Sequence, residues 1–422
     1  MLLKNDFVSA DAQQLDQQDP LQPYRNQFHL PIQSNGEPYL YFCGNSLGLQ
    51  PKSAQALVSE VMEDWAKLGV EGHFHAQNPW MPYHELLTES MAKIVGAHPL
   101  EVVVMNTLSV NLHLMMVSFY RPTARRYKIL IESDAFPSDR YAVESQLKWH
   151  GYDPSTALLE LRPRKGEETI RTEDIEGLLA EEGESIALIM LGGVNYYTGQ
   201  YFDLAHIADI GHQHGCTVGY DLAHGAGNIQ PNLHAIEADF AVWCTYKYLN
   251  AGPGNLGGCF VHERHAQRRD LPRFTGWWGH RPNTRFQMRD AFDPMPGAEG
   301  WQLSNPPIIP LAAMRASLAI FEEVGMDALR AKSLKLTAYM EALLEQLGKD
   351  KVKVITPSEP EARGCQLSIQ VKDADKGLFE RLSAKGVIAD WREPDVIRVA
   401  PAPLYNTFSE VKQFVELLKS VF

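Results

Sequence analysis

From about residue 100 the chain alternates short β-branched apolar runs with helical patterns, and this rhythm most constrains how it can fold. Strands that are apolar throughout, rather than at every second position, are typical of a parallel sheet covered on both faces. The predicted strands are residues 102–105, 128–132, 186–191, 217–221, 240–243 and 258–261, with a helix at 204–214. The sequence therefore predicts an α/β core, a large and mainly parallel sheet wrapped by helices.

The spacing of the apolar residues changes after Asn305-Pro306-Pro307. Long helical patterns follow at 311–324 and 326–347, and then strand-like runs at 365–371 and 396–400 flank a helical run at 376–385. A chain of 422 residues also exceeds the size at which one hydrophobic core usually stops growing. We therefore predict an N-terminal arm at 1–60 that packs with a small α+β domain at 308–422, and a large domain at 61–307.

Composition argues against several classes of protein. The net charge of −13 would repel a phosphate backbone, so a nucleic-acid partner is not expected. No run reaches the roughly 18 apolar residues of a membrane span. Residues 1–20 are polar and acidic and lack the order of a secretory signal, so we expect a cytoplasmic protein. The five cysteines have neither metal-like nor redox spacing, as expected of thiols kept reduced.

Asp221 and Lys247 form the first candidate functional pair. Asp221 ends an apolar strand, at the carboxyl edge of the sheet where α/β proteins bind ligands. Lys247 stands between Tyr246 and Tyr248 after the next apolar strand, where it would be partly desolvated. A desolvated lysine favours the neutral amine that forms a Schiff base, and a carboxylate can hold a pyridine nitrogen protonated. Alone, each residue would be interpreted as a solvated lysine or a helix cap; together they match what pyridoxal phosphate requires.

Residues 106–111 are the candidate phosphate site. They follow the first predicted strand and open a helical run at 112–120, and a helix N-terminus offers free amides and a positive dipole end to an anion. The simpler interpretation is a Ser or Thr N-cap. The spaced glycines at 252–257 match a dinucleotide fingerprint by letter, but a strand rather than a helix follows them. We interpret them as a glycine-rich turn that lets the backbone pass close to the cofactor.

Two histidine pairs suggest a metal centre at first sight. They are His73 with His75 and His212 with His214. Neither pair has a third ligand at a sensible spacing, so no metal is predicted.

Several separate motifs resemble one enzyme family. They are residues 42–49 (Phe-Cys-Gly-Asn-Ser-Leu-Gly-Leu), 136–139 (Phe-Pro-Ser-Asp), 221–224, 246–252, 276–280 (Gly-Trp-Trp-Gly-His), 304–307 and 398–401. In these motifs and their order the chain resembles, nearly end to end, the kynureninase family of fold-type I pyridoxal-phosphate enzymes, in the aminotransferase class V group. The resemblance implies a large domain that binds pyridoxal 5'-phosphate, a small α+β domain, and a homodimer with shared active sites.

The resemblance also implies roles around the cofactor. Lys247 would bind its aldehyde, Asp221 would pair with the pyridine nitrogen, and His224 would lie near the phenolic oxygen. Phe136 would stack on the ring. The remaining cofactor contacts would be Leu108, Ser109, Pro137, Ser138, Asp139 and Tyr246, with Trp277 and Asn305 arriving from the neighbouring subunit.

The implied reaction is hydrolysis of the Cβ–Cγ bond of L-kynurenine or 3-hydroxy-L-kynurenine, which gives an anthranilate and L-alanine. Arg398 would bind the substrate α-carboxylate through a two-pronged charged hydrogen bond, and Ser46 would border the same site. Lys247 would move the α-proton, and Tyr246 is the candidate acid. Roles in tryptophan catabolism and in NAD biosynthesis both fit this reaction.

His73 and Asn305 bear on the choice between the two substrates. Family members that favour 3-hydroxykynurenine resemble this chain in having histidine and asparagine at these positions. The resemblance implies that the ring hydroxyl bonds to Asn305 while His73 packs on the ring. The simpler interpretation is that His73 caps a loop and that Asn305 stabilises the turn into Pro306.

Two other functions stay open on the sequence. A class V cysteine desulfurase or aminotransferase would share Asp221, His224 and Lys247. A desulfurase also needs a reactive cysteine on a mobile loop, whereas Cys365 lies in an apolar, strand-like run. A catalytically silent cofactor-binding protein is the second alternative, although it would have no need of a desolvated lysine.

Overall fold

The computed structural model describes residues 10–133 and 135–422, so the first nine residues of the predicted arm lie outside the described part. The strands are β1 Leu40–Tyr41, β2 Val102–Met105, β3 Lys128–Glu132, β4 Leu158–Leu161, β5 Ile186–Gly192, β6 Thr217–Asp221, β7 Phe240–Cys244, β8 Gly257–Val261, β9 Val352–Val354, β10 Leu367–Val371, β11 Val387–Ile388, β12 Asp390–Arg392 and β13 Val396–Val399. The α-helices are α1 Ala12–Gln17, α2 Ala54–Leu68, α3 Gly72–His75, α4 Glu85–Val95, α5 Leu108–Phe119, α6 Pro137–Trp149, α7 Pro154–Ala157, α8 Thr172–Glu182, α9 Leu204–Gln213, α10 Pro282–Arg285, α11 Ile308–Val324, α12 Met326–Glu345, α13 Lys376–Ala384 and α14 Phe408–Lys419. Of these described helices, none is long and apolar enough to cross a membrane.

A seven-stranded sheet forms the centre of the molecule. Its strand order is β2-β8-β7-β6-β5-β3-β4. The pairs from β4 through β3, β5 and β6 to β7 are parallel, whereas β8 runs antiparallel to both β7 and β2. Strands β7 and β8 are buried throughout, as expected of strands covered on both faces. The predicted α/β architecture with a mainly parallel sheet is confirmed.

All six predicted strands of this sheet are present, and their ends differ from the prediction by at most one residue. The prediction missed β4, because this edge strand buries only Leu161 and carries the polar Glu160, so its apolar run is short. The predicted helix at 112–120 was wrong at its start. Thr107 is extended at φ −109° and ψ 165°, and α5 begins directly after it at Leu108.

The C-terminal part of the chain forms a second, smaller sheet. Its strands are antiparallel in the order β12-β13-β10-β9. Buried side chains of β10, β13, α12 and α14 make a hydrophobic core of their own, which includes Leu367, Val399 and Phe414. Each unit therefore has a separate apolar interior.

The described part of the N-terminal arm contacts this smaller unit. β1 pairs in parallel with β11. The Asp16 carboxylate accepts the backbone N–H groups of Phe408, at 2.6 Å, and of Ser409, at 3.1 Å, in the first turn of α14. Asp19 forms a buried ion pair with Lys332 of α12 at 2.7 Å. A carboxylate at a helix N-terminus is stabilised by the helix dipole, and removing one partner of a buried ion pair costs about 3–5 kcal/mol.

Helix α11 does not belong to the smaller unit. It packs against α2 and α4, and its residues Leu311, Leu318 and Phe321 are buried in the core of the large sheet. Pro306 and Pro307 directly precede α11, and proline is tolerated where a helix begins. We therefore propose that the large domain extends into α12, where the core changes between Leu329 and Leu336.

Candidate active site

A cavity of about 310 Å³ opens at the carboxyl ends of neighbouring strands. Glu132, Gly192 and Asp221 are the last residues of β3, β5 and β6, and all three line it. The other lining residues are Asn45, Ser46, Thr107, Leu108, Ser109, Phe136, Ser138, Asp139, Val194, Tyr196, Ala223, His224, Tyr246, Lys247, Arg392 and Arg398. This edge is where α/β sheets bind ligands, because the loops that leave the strands diverge there.

Asp221 offers a free carboxylate oxygen to the cavity. Its Oδ1 accepts the backbone N–H of Ala223 at 2.6 Å, whereas its buried Oδ2 has no hydrogen-bond partner among the described residues. Burial raises the pKa of Asp221, although that bond and the charge of Lys247 act in the opposite direction. Asp139 lies within hydrogen-bonding reach, and burial together with the charge of Asp221 raises its pKa well above the usual range. Burial and the closeness of the two carboxyl groups therefore favour a proton on Asp139, while Lys247 and the N–H of Ala223 favour the charged form of Asp221.

Lys247 is half-buried and points into the same cavity. Its Nζ lies 5.9 Å from the centroid of the Phe136 ring. The loop that carries Lys247 is fixed at both ends, since Thr245 Oγ1 donates to the carbonyl of Leu256 at 2.5 Å and the N–H of Asn250 donates to the Lys247 carbonyl at 3.0 Å. Lysine, carboxylate and aromatic ring therefore converge on one space.

Gly48 allows the N-terminal segment to approach the lysine loop closely. Its N–H donates to the carbonyl of Tyr246 at 2.8 Å, and a Cβ at this position would lie only 2.4 Å from the carbonyl oxygen of Lys247. Any side chain would therefore force the two loops apart. This contact carries the exposed Ser46 to the edge of the cavity.

Two helices direct their N-termini at one end of the cavity. α5 begins at Leu108 and α6 at Pro137, and the hydroxyls of Ser109 and Ser138 lie 3.1 Å apart across them. First-turn amides and hydroxyls at a helix start are suited to binding an anion. The simpler interpretation, a side-chain N-cap, is not what the structure has, because neither Thr107 nor Phe136 makes a side-chain capping bond.

Burial shifts the pKa of His224 and the pKa of Tyr246 in opposite directions. Burial, followed by the positive charges of Lys247, Arg398 and Arg392, lowers the pKa of His224 well below its usual value, so its imidazole is neutral. Its buried Nδ1 has no partner among the described residues. Burial raises the pKa of Tyr246 far above the usual value, so its phenol keeps its proton at neutral pH. Tyr246 can therefore act as a proton donor and His224 as a neutral hydrogen-bonding group.

Arg398 lies in β13, directly opposite Asp390 of β12. Its Nη1 donates to the carbonyl of Tyr196 at 2.5 Å, and its Nη2 donates to the Asp390 carboxylate. The side chain is buried, with 1% of the residue exposed, yet it lines the cavity. A guanidinium fixed in this way suits planar recognition of a carboxylate.

The structure does not bring every predicted residue to this cavity. Trp277 is 41% exposed, and its Nε1 donates to the carbonyl of Arg285 at 3.2 Å. Asn305 is also exposed. His73 bonds through Nδ1 to the carbonyl of Val70 at 3.0 Å and packs edge-on against Trp80. These three residues and Pro137 do not line the cavity of their own chain, whereas the remaining predicted site residues do.

Sequence reasoning missed several lining residues, including Glu132, Tyr196 and Arg392. Glu132 could have been found from its position, since it ends a predicted strand of the parallel sheet at the same edge as Asp221. It accepts the N–H of Gly192 at 3.2 Å on both oxygens, and a Cβ at residue 192 would lie 2.7 Å from its Oε1. Tyr196 lies in a turn and Arg392 is the last residue of the short strand β12, and no local pattern shows that tertiary packing brings them to the cavity.

The metal and desulfurase alternatives can be compared with the geometry. His212 Nε2 pairs with Asp239 at 3.0 Å. Among the described residues, the groups with metal-like geometry are His98-Glu101-His234 and His84-Glu85-Glu299, neither of which contains the histidine pairs considered above.

Cys365 is fully buried, and burial raises the pKa of its thiol to about 12. A thiol held protonated and enclosed is unsuited to the attack that a desulfurase needs.

Comparison with known proteins gives a consistent result. Residues 329–418 match the family model of the kynureninase C-terminal domain. The chain is 60% identical over 408 residues to the kynureninase of Myxococcus xanthus, covering 97% of this chain and 96% of that protein. It is 56% identical over 411 residues to the kynureninase of Koribacter versatilis, covering 97% of each.

Solved structures show the same fold at much lower identity. A cysteine desulfurase from Thermococcus onnurineus superposes with a TM-score of 0.75 at 17% identity, covering 90% of this chain and 94% of that one. A mutant of C-DES with glycine covalently linked to its PLP cofactor superposes with a TM-score of 0.77 at 17% identity, covering 94% and 98%. At this identity the likeness concerns the fold alone.

Proposed function

The chain belongs to the kynureninase family, and from that premise we propose that the cavity around Lys247 is its active site. The protein is a pyridoxal-phosphate enzyme that hydrolyses a carbon–carbon bond of kynurenine. The observation that carries the assignment of the site is the convergence of Lys247, Asp221 and Phe136 on one cavity that is also faced by two helix N-termini.

The residues present fit the cofactor. Lys247 supplies the amine, Phe136 supplies a ring face, and the unpartnered Asp221 Oδ2 would accept a hydrogen bond from a protonated pyridine nitrogen. The start of α5 with Ser109, and that of α6 with Ser138, would hold the phosphate. Pyridoxal phosphate supplies an electron sink for the carbanion that forms when a substrate bond breaks.

We assign roles to the chain's own groups on this basis. Arg398 binds the substrate α-carboxylate, with Ser46 at the edge of the site. Lys247 Nζ takes the α-proton. Water supplies the hydroxyl of the aromatic acid when the Cβ–Cγ bond breaks, and Tyr246, whose phenol stays protonated, delivers the proton that the β-carbon of alanine needs. His224, held neutral, would contact the phenolic oxygen of the cofactor.

We expect the purified holoenzyme to convert L-kynurenine into equimolar anthranilate and L-alanine. Anthranilate is followed by its fluorescence and alanine by amino-acid analysis. The matched comparison is L-cysteine, from which a desulfurase would release alanine and sulfane sulfur. Alanine from cysteine without anthranilate from kynurenine would contradict the assignment in favour of the desulfurase alternative.

We propose that the active enzyme is a cytoplasmic homodimer in which Trp277 and Asn305 complete the partner's site. Both residues are exposed and lie outside the cavity of their own chain. The Trp277 ring packs edge-on against Phe286 at 5.3 Å, and Phe286 is itself 56% exposed. Exposed aromatic surface of this kind usually marks a contact with another protein surface. Roles in tryptophan catabolism and in the supply of NAD precursors both fit the reaction.

For substrate choice, we expect 3-hydroxykynurenine to be preferred over kynurenine and Asn305→Thr to reduce that preference. A lost hydrogen bond to the ring hydroxyl corresponds to about 1–3 kcal/mol, or roughly 5- to 150-fold in the ratio of kcat/KM values. The measurement is kcat/KM for both substrates in the native protein and in the variant. Equal ratios in the two proteins would assign Asn305 to the turn before Pro306 instead.

Mixed dimers test whether Asn305 acts across the interface. Differently tagged Asn305→Thr and Lys247→Arg chains are combined, and the heterodimer is purified through both tags. Its one competent site carries Lys247 from the first chain and the partner subunit's Asn305 from the second, so the native preference should return. If the heterodimer keeps the selectivity of the Asn305→Thr homodimer, Asn305 acts within its own chain.

A further inference from the structure

Arg392 lies beside Arg398 at the cavity, and one carboxylate holds both. Asp390 Oδ2 accepts Nη2 of Arg392 at 3.0 Å and also accepts Nη2 of Arg398. The two arginines come from adjacent antiparallel strands, β12 and β13, with Asp390 opposite Arg398 in the register. The sheet therefore places two guanidinium groups on one carboxylate oxygen, which makes Asp390 a positioning residue for both.

Tyr196 forms the second support of this pair. The guanidinium carbons of Arg392 and Arg398 each lie 5.7 Å from the centroid of its ring. The same ring meets Phe136 edge-on at 5.2 Å, which ties the arginines to the face where the cofactor would stack. Cation–π contact and the shared carboxylate restrict both guanidinium groups to one orientation.

The charges of this cluster do not balance. In the described part of the chain, the ion pairs of Arg392 and Arg398 go to the single carboxylate of Asp390, so one positive charge remains uncompensated. The Nε atoms of both arginines are buried and have no hydrogen-bond partner among the described residues. Buried charged donors without acceptors are costly unless a ligand meets them.

We propose that Arg392 is a second arginine of the substrate carboxylate site, held beside Arg398 by Asp390. One α-carboxylate would supply the missing negative charge. This inference rests on the proposed function, because it assumes an amino-acid substrate in this cavity.

The test compares Arg392→Gln with the native holoenzyme. We expect KM for L-kynurenine to rise about tenfold or more while kcat changes by less than about threefold, because a charge-assisted hydrogen bond to a group unchanged during the reaction contributes to uniform binding. Affinity for L-alanine, read from the absorbance of the bound cofactor, should fall by a similar factor. Affinity for ethylamine, which is alanine without its carboxylate, should not change.

Arg125→Gln is the matched control, since it removes one arginine charge from a pair with Glu184 in which both side chains are 77% exposed. It should leave KM and both affinities unchanged.

Arg392→Lys keeps the charge without the planar fork, so its KM for L-kynurenine and its affinity for L-alanine should lie between those of Arg392→Gln and of the native protein. Arg392→Lys replaces Arg392→Gln if that variant does not fold. Unchanged affinity for L-alanine, or an equal loss for ethylamine, would overturn the proposal. If no protein releases anthranilate the proposed function fails, while the two amine ligands still report on recognition of the carboxylate.

Discussion

Lys247→Arg is expected to abolish turnover while the protein stays folded and keeps its charge. A guanidinium is always protonated, so it cannot condense with the cofactor aldehyde or accept the α-proton. The loss in kcat should be at least about a thousandfold, since a nucleophile and a proton carrier disappear together. Lys247 is half-buried near Asp221 and Phe136, where an arginine can still pair with a carboxylate, so unfolding is not expected.

The measurement combines three readouts on purified protein reconstituted with pyridoxal phosphate. They are anthranilate release from L-kynurenine, the cofactor absorbance before and after borohydride treatment, and the mass of the reduced protein. The native protein should retain the cofactor covalently after reduction, whereas Lys247→Arg should not. Lys67→Arg is the control, because Lys67 is 70% exposed and forms an ion pair with Glu63, which is 68% exposed. Substantial turnover in Lys247→Arg would remove Lys247 from its central role.

The sheet could be predicted from the sequence because its signal is local. Val102–Met105 and Phe240–Cys244 are continuous apolar runs, and burial on both faces demands such runs wherever they occur. The edge strand Leu158–Leu161 was not predicted, because an edge strand needs less apolar surface.

The packing partners of α11 could not be predicted for a different reason. Its pattern shows that it is a helix, but whether its apolar face meets α2 and α4 or the smaller sheet depends on contacts far away in the sequence.

The residues of the active site also differ in whether the sequence alone could predict them. Asp221 and Lys247 stand out only as a pair, because an aspartate that ends one apolar strand and a lysine that follows the next are both expected at the edge of the sheet where ligands bind. Arg392 gives no such signal, since an arginine in a short polar strand is ordinary until Asp390 and Tyr196 are seen around it. Trp277 and Asn305 could be named only through the family resemblance, because a single chain leaves them exposed and outside its own cavity.

The second large effect is expected from Asp221→Asn. The substituted amide can keep the bond from the N–H of Ala223, which lies 2.6 Å from Oδ1, so the local turn should survive. The group at the Oδ2 position becomes an NH2 donor, which cannot accept a hydrogen bond from a protonated pyridine nitrogen and cannot balance its charge. Loss of one buried charge-assisted bond that acts in the transition state corresponds to about 2–4 kcal/mol, so kcat should fall roughly a hundredfold.

Affinity for pyridoxal phosphate should also fall, and kcat must therefore be measured at saturating cofactor. Asp209→Asn is the matched control, because Asp209 is exposed on α9 and accepts a hydrogen bond from the exposed Gln213 at 2.9 Å. A near-native kcat for Asp221→Asn at full cofactor occupancy would show that another group holds the pyridine nitrogen, and Asp139, the carboxyl group beside it, would be the first to replace.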